Sequence, residues 1–325
     1  MELCMHSSTT KTMGYWEWSL LIILSIIWGG SFFFIKVVVA ELQPFTAVFG
    51  RVFMAAIVLN VIVLATGHRM PSSLRLWVMF LVMAFFNNLL PFSLIFWGET
   101  QIASGLASIL NATTPLWTVL LAHFLTSDEK LTPNRFSGVL FGLLGVVIMI
   151  GPVVLMGLGL NVLAQLAVVG AAISYSFGTI YSKRFMKIAP IVLATCQLTC
   201  STLMMIPIVI FVDRPWLLPM PTIKIWAALL ALAILCTAFA YVIYFRLLST
   251  IGATNLMLVT FLIPVSAMLL GMTILGERLE FRHFVGMGLI GISLLWIDGR
   301  LLQVTKRLFR GNKQKPQPIV DDHNI

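Results

Sequence analysis

Ser127-Asp128-Glu129-Lys130-Leu131, followed by Arg135-Phe136-Ser137-Gly138, has a second copy in Leu275-Gly276-Glu277-Arg278-Leu279, followed by His283-Phe284-Val285-Gly286. Glu129 and Glu277 stand 148 residues apart, and a long apolar run with one proline precedes each copy, Pro115 in the first and Pro264 in the second. A charged turn repeated between membrane-length apolar runs indicates one folding unit used twice. With an odd number of spans in each unit, the second copy enters the bilayer upside down, the arrangement of many secondary transporters.

Composition makes lipid the solvent. Of 325 residues, 59% are hydrophobic and 10% charged, with a mean hydropathy of +1.00, whereas a soluble domain carries about 25% charged residues. The net charge of +9 resides in short loops and the C-terminal segment, not in a basic stripe, so no nucleic-acid partner is expected. Cys4, Cys196, Cys200 and Cys236 are scattered. The helical spacing of Cys196 and Cys200 has no histidine or carboxylate beside it, so it reads as packing, and no metal or cofactor is expected. The first apolar run, from Trp18, outlasts a signal-peptide core and lacks a small-x-small cleavage site, so it reads as a retained span.

Ten segments are long enough to cross a hydrocarbon core of about 30 Å: 18–39, 45–66, 76–97, 103–125, 137–156, 161–182, 190–212, 224–245, 252–275 and 282–303. The expected architecture is an all-α membrane protein with ten transmembrane helices as two inverted five-helix repeats. These repeats occupy residues 17–150 and 160–303, and a cytoplasmic basic tail fills 304–325. With both termini cytoplasmic, 15 Lys and Arg fall inside and only Arg214, Lys224, Arg278 and Arg282 fall outside, as the positive-inside bias requires. The loop after span 1 carries Glu41, while its counterpart after span 6 carries Lys183, Arg184 and Lys187; inverted copies demand such a charge swap.

Ile26-Ile27-Trp28-Gly29-Gly30-Ser31 with Lys36, Pro44 and Arg51, together with Gly276-Glu277-Arg278-Leu279 and Asp128-Glu129-Lys130-Leu131, resembles the EamA family of the drug/metabolite transporter superfamily. The resemblance covers about residues 17–300. It implies two five-helix inverted repeats around a central cavity and movement of metabolites such as amino acids, often outward. The second half departs from the pattern, with Ser174-Tyr175-Ser176 in place of Trp28-Gly29-Gly30.

Polar groups inside apolar spans mark candidate sites, because lipid does not solvate them. Asn87 and Asn88 precede Pro91 in span 3, and Asn111, Thr113 and Thr114 precede Pro115 in span 4. Each proline frees a backbone carbonyl, which a cavity tolerates better than lipid. Tyr241, Tyr244 and Thr237 lie in span 8 and Asn255 in span 9. Trp28, Asn87, Asn88, Trp97, Asn111, Thr114, Tyr175, Tyr241, Tyr244 and Asn255 are therefore the expected substrate-binding set. The alternative for each alone is an interhelical hydrogen bond worth about 0.6–2 kcal/mol. Lys36, Arg51 and Glu99 form an expected outer vestibule charge set that attracts a substrate carboxylate; the competing reading pairs Arg51 with Glu99 or Glu41.

Every Asp and Glu falls at a predicted helix end, in a loop or at a terminus, which argues against a mid-membrane proton relay. His6, His68, His123 and His283 are dispersed, and no HExxH or paired intramembrane Asp occurs, so no catalytic residues are expected. The resulting expectation is a secondary transporter in the cell membrane (the inner membrane in a bacterium). It would move an amino acid or similar amphiphilic metabolite, outward, by alternating access around a midplane cavity. Its partners would be a small-molecule substrate and the lipid bilayer, and it would act as a monomer or homodimer. The alternatives are an intramembrane enzyme and a non-transporting receptor or assembly factor.

Overall fold

The computed structural model describes residues 14–126, 132–151, 159–185, 187–256 and 258–297. The charged turn at 127–131 and the basic tail at 304–325 lie outside the described residues. Every regular element among the described residues is helical.

In the first half, α1 (Tyr15–Val38) starts where the Glu17 carboxylate accepts the Gly14 N–H at 3.0 Å. α2 (Pro44–Ala65) has its proline in the first turn, where the missing N–H would be unpaired anyway. α3 (Leu74–Ala84), a π-helical turn (Phe85–Leu89) and α4 (Leu90–Gln101) make one rod. α5 (Ser104–Asn111) and α6 (Thr114–Leu125) make another, broken at 112–113, because Pro115 has no N–H for the Asn111 carbonyl four residues back and its ring crowds that carbonyl. α7 (Pro133–Ile150) closes this half.

The second half repeats the plan. α8 (Leu160–Ser182) is followed by α9 (Pro190–Ile208), which ends in a π-helical turn (Val209–Asp213). α10 (Ile223–Leu230), a π-helical stretch (Ala231–Phe239) and α11 (Ala240–Leu256) form one rod, and α12 (Leu258–Ile274) and α13 (Phe281–Ile297) complete the fold. Seven described segments are long and apolar enough to span a membrane, and Arg135–Ile150, Leu262–Ile274 and Phe281–Ile297 are shorter apolar helices. The turn expected at 246–251 is a correction: α11 runs through it to Leu256, because Leu247, Ile251 and Leu256 are buried along a helical face.

The burial pattern is that of a protein in lipid. On α7, Phe136, Leu140, Leu144 and Val147 are about half exposed or more, a helical stripe of large apolar side chains that water would penalise. The opposite stripe is small. A Cβ on Gly145 would lie 2.9 Å from the Gly286 carbonyl, and one on Gly286 would lie 2.7 Å from the Gly145 carbonyl. α7 and α13 therefore touch backbone to backbone, the close packing that small residues permit in membranes.

Counterpart helices of the two halves run antiparallel. Near one end of α2, Thr46 meets Asp213, and 14 residues further along, Asn60 Nδ2 donates to Thr199 Oγ1 at 3.1 Å, 14 residues back from Asp213. Likewise Arg282, at the start of α13, donates to the Ile150 carbonyl at the end of α7 (3.0 Å), while Ser293 donates to the Gly138 carbonyl (2.6 Å). The start of α5 meets the end of α12. The remaining contacts exchange under a swap of halves: α1 packs on α12 as α8 packs on α5 and α6, and α4 packs on α8 as α11 packs on α1.

Candidate functional site

Pro91 cannot donate a backbone hydrogen bond, and its ring crowds the carbonyl four residues back. The helix widens to π geometry just before it, at Phe85–Leu89. The matching rod of the other half widens at Ala231–Phe239 without a proline, where Thr237 Oγ1 donates to the Leu232 carbonyl five residues back at 2.8 Å. π-bulges concentrate at functional sites, and these two turn Asn88 and Thr237 into the seam between the halves.

Arg51 is the centre of that seam. It is 7% exposed, its Nε donates to Thr237 Oγ1 at 3.1 Å, and its guanidinium carbon lies 4.1 Å from the centroid of the Phe92 ring. Among the described residues the two terminal amino groups have no hydrogen-bond partner. Tyr175, Tyr241, Cys236 and Glu99 share its electrostatic surroundings. The Arg51 ion pair with Glu99 or Glu41 does not form. The ion pair found among the described residues is Arg282–Glu280 at 2.8 Å, and Glu41 accepts instead from the N–H and hydroxyl of Thr222, both at 2.9 Å.

Aromatic rings frame the guanidinium. Phe92 meets Tyr175 edge-on at 6.4 Å, and Trp28 lies 5.6 Å from Tyr244 at a 42° tilt. Tyr241 lies against Asn88 and Gln197 and within electrostatic reach of Tyr244. Asn88 is fully buried and accepts from Gln197 Nε2, while its own Nδ2 is buried without a partner. A fixed cation, a cation–π ring and hydroxyl-bearing aromatics together suit an anionic group attached to an apolar body.

The expected residues divide. Trp28, Asn88, Tyr175, Tyr241, Tyr244 and Arg51 come together at the seam. Asn87 is turned toward α8, donating to Ser182 Oγ at 3.2 Å and filling the space over Gly178. Trp97 is 37% exposed and has no ring partner among the described residues. Thr114 donates to the Asn111 carbonyl at 2.7 Å, and Ser176 of α8 donates to the Thr114 carbonyl at 2.9 Å; Asn111 Oδ1 is buried without a partner. The Asn255 side chain lies outside the described residues. Phe92 and Gln197 were not singled out from the sequence, although a glutamine inside an apolar run was signal enough for the second. A cleft of about 370 Å³ lies elsewhere, between α2 and α9, lined by Phe53, Ala56, Asn60, Leu64, Thr199 and Leu203.

At one end of the bundle, carboxylates sit on helix starts and join the two halves. Glu277 accepts from the Ser104 N–H (2.7 Å), the Ser104 hydroxyl (2.9 Å) and the Gly105 N–H (3.2 Å). Asp213 accepts from the Thr46 N–H (2.6 Å) and hydroxyl (2.8 Å), and Glu41 serves Thr222 in the same way. Each carboxylate stands at or just beyond the end of a helix in one half and caps the start of one in the other, where unpaired N–H groups and the helix dipole favour a negative charge. Lys36, at the same end, donates to the carbonyls of Glu99 (2.6 Å) and Ile102 (2.9 Å), capping the end of α4.

The sequence profile of the EamA-like transporter family matches residues 16–151 and again 162–297. An uncharacterized transporter of Archaeoglobus fulgidus is 27% identical over 283 residues, 86% of this chain and 95% of the relative. The uncharacterized inner membrane transporter YedA of Escherichia coli is 25% identical over 308 residues, 93% and 95% of the two chains. Protein PecM of Dickeya dadantii is 26% identical over 296 residues, covering 89% and 93%. A crystal structure 20% identical in sequence superposes with a TM-score of 0.60 over 86% of this chain and 97% of its own, which supports the fold.

Proposed function

We propose a function from one premise: this chain belongs to the EamA-like transporter family. It is a multi-pass membrane transporter. Its ten spans form two inverted five-helix repeats, both termini are cytoplasmic, and the repeats rock against each other around the Arg51 seam. The solute is a small amphiphilic metabolite carrying a carboxylate or similar anion, an amino acid or a close relative, and it leaves the cell by this route. No catalytic step is assigned.

The observation that supports this reading is Arg51 itself. A guanidinium removed from water without a carboxylate partner costs several kcal/mol, a cost that an arriving anion offsets with bidentate hydrogen bonds to the terminal amino groups. Trp28, Tyr175, Tyr241 and Tyr244 supply the apolar walls that ligand pockets use for the rest of a solute.

The test compares extracellular metabolites of deletion and overproducing cells, followed by uptake of the differing compound into liposomes. The expected result is one carboxylated, amphiphilic compound enriched outside overproducing cells and carried by the purified protein. A neutral or purely cationic compound carried with equal effect of Arg51→Gln on all solutes contradicts the reading.

A further inference from the structure

We propose that Glu99 is a proton-binding site whose occupancy is linked to that of the anion site at Arg51; the linkage, though not the proton site, rests on the function proposed above.

Glu99 is 0% exposed, and neither carboxylate oxygen has a hydrogen-bond partner. It stands two turns along α4 from Phe92, on the same helical face, because seven residues nearly complete two turns of 3.6. Phe92 covers the Arg51 guanidinium, so the carboxyl group lies about 10 Å from that level toward the capped end of the bundle.

Three charged groups face Glu99 from the packed segments: Lys36 of α1, Arg51 of α2 and Glu277 beyond α12. The Lys36 ammonium gives two of its three N–H groups to backbone carbonyls and makes no hydrogen bond to the Glu99 carboxyl oxygens, and Glu277 is held at the start of α5. On the α8 side the neighbours of the adjoining turn are neutral, with Val168 and Ala164 against Gly98. A carboxylate left there without a donor is far costlier than the neutral acid, so in this conformation the group holds a proton. Opening of the capped end hydrates the site and lets the proton go to water. The step is a transfer between water and one Glu99 oxygen, with no other bond changed.

Arg51 sets the linkage. Its positive charge favours the ionised form of Glu99, and an anion bound at Arg51 cancels that influence. Proton and solute anion therefore promote each other's binding, and by reciprocity the factor is the same in both directions. At about 10 Å in a medium of effective dielectric about 20, that factor is on the order of tenfold.

The experiment uses the full-length protein in lipid nanodiscs, with infrared spectra recorded across a pH series, with and without benzoate as a minimal aromatic carboxylate. The expected wild-type spectrum holds a carboxylic-acid C=O band that shifts in D2O, disappears at high pH, and is absent from Glu99→Gln. Benzoate should quench tryptophan fluorescence through Trp28 and move the loss of the band upward by about one pH unit, equal to the tenfold linkage. Absence of the band from the wild type, or its survival in Glu99→Gln, overturns the proposal. So does a band that benzoate leaves in place while it quenches fluorescence. If benzoate changes neither signal, the Arg51 pocket falls, while the titrating band still upholds the proton site.

Discussion

Arg51 and Thr237 meet across the seam of the two halves, with the Nε–H of the first donated to the hydroxyl of the second at 3.1 Å. The same hydroxyl donates to the Leu232 carbonyl inside a π-helical stretch, so the aim of the guanidinium depends on backbone geometry in the opposite repeat. Arg51→Gln should weaken transport of a carboxylated solute roughly 10- to 100-fold, the worth of one or two charge-assisted hydrogen bonds. Its uncharged amide analogue should be unaffected. Competition counterflow in liposomes reads the difference, and equal losses for acid and amide would assign Arg51 to packing.

Asn88 and Gln197 form a buried polar pair between halves. Gln197→Leu strands the Asn88 amide and should cost about 1–3 kcal/mol, whereas the double change Asn88→Leu with Gln197→Leu should recover part of that loss. Thermal unfolding of the purified variants gives the coupling; additive losses would mean the pair has no joint role.

Gly29 and Gly30 are neighbours with opposite tolerance. A Cβ on Gly29 would lie 2.0 Å from Ser266 Oγ and 2.9 Å from backbone atoms of Ile263 and Ala267, while one on Gly30 meets nothing closer than 3.8 Å. Gly29→Ala should force α1 off α12, reducing both folded yield in size-exclusion chromatography and flux. Gly30→Ala should match the wild type.

Glu277 joins the end of α12 to the start of α5 through three hydrogen bonds. Glu277→Gln replaces an acceptor pair with one amide oxygen and should destabilise the protein by on the order of 2 kcal/mol. The effect should shrink in a Ser104→Ala background, which already lacks one of the three bonds. A loss of the same size in both backgrounds would show that the cap is not the cause.

The large-scale plan was legible because hydropathy and charge act over whole spans: the duplicated turn, the paired prolines and the Glu41/Lys183 charge swap all report on the repeat. The boundary between spans 8 and 9 was not legible, since residues 246–251, with Arg246 among them, read as a loop while Leu247 and Ile251 bury a continuous helical face. At the site, Pro91 marked a freed carbonyl where the structure has one π-bulge, but nothing local marks the other at Ala231–Phe239. Within it Thr237 meets Arg51 of the far repeat, a contact between residues 186 positions apart that no local pattern displays. Trp97 and Asn87 had the right residue types in the right spans. Their direction is a matter of helix phase, which a π-bulge shifts and a sequence does not display. Glu99 was read as an end-of-helix charge and does stand in the last turn of α4, but its complete burial depends on packing between helices, which the sequence does not display.

The most direct measurement of the central claim, that the halves are inverted copies, places single cysteines at Ala40 and Lys183, matched positions after the first helix of each half, in a chain cleared of native cysteines. An impermeant maleimide applied to intact cells should label position 40 and should reach position 183 only after permeabilisation. Labelling of both positions from the same side would contradict the inverted arrangement and the alternating passage built on it.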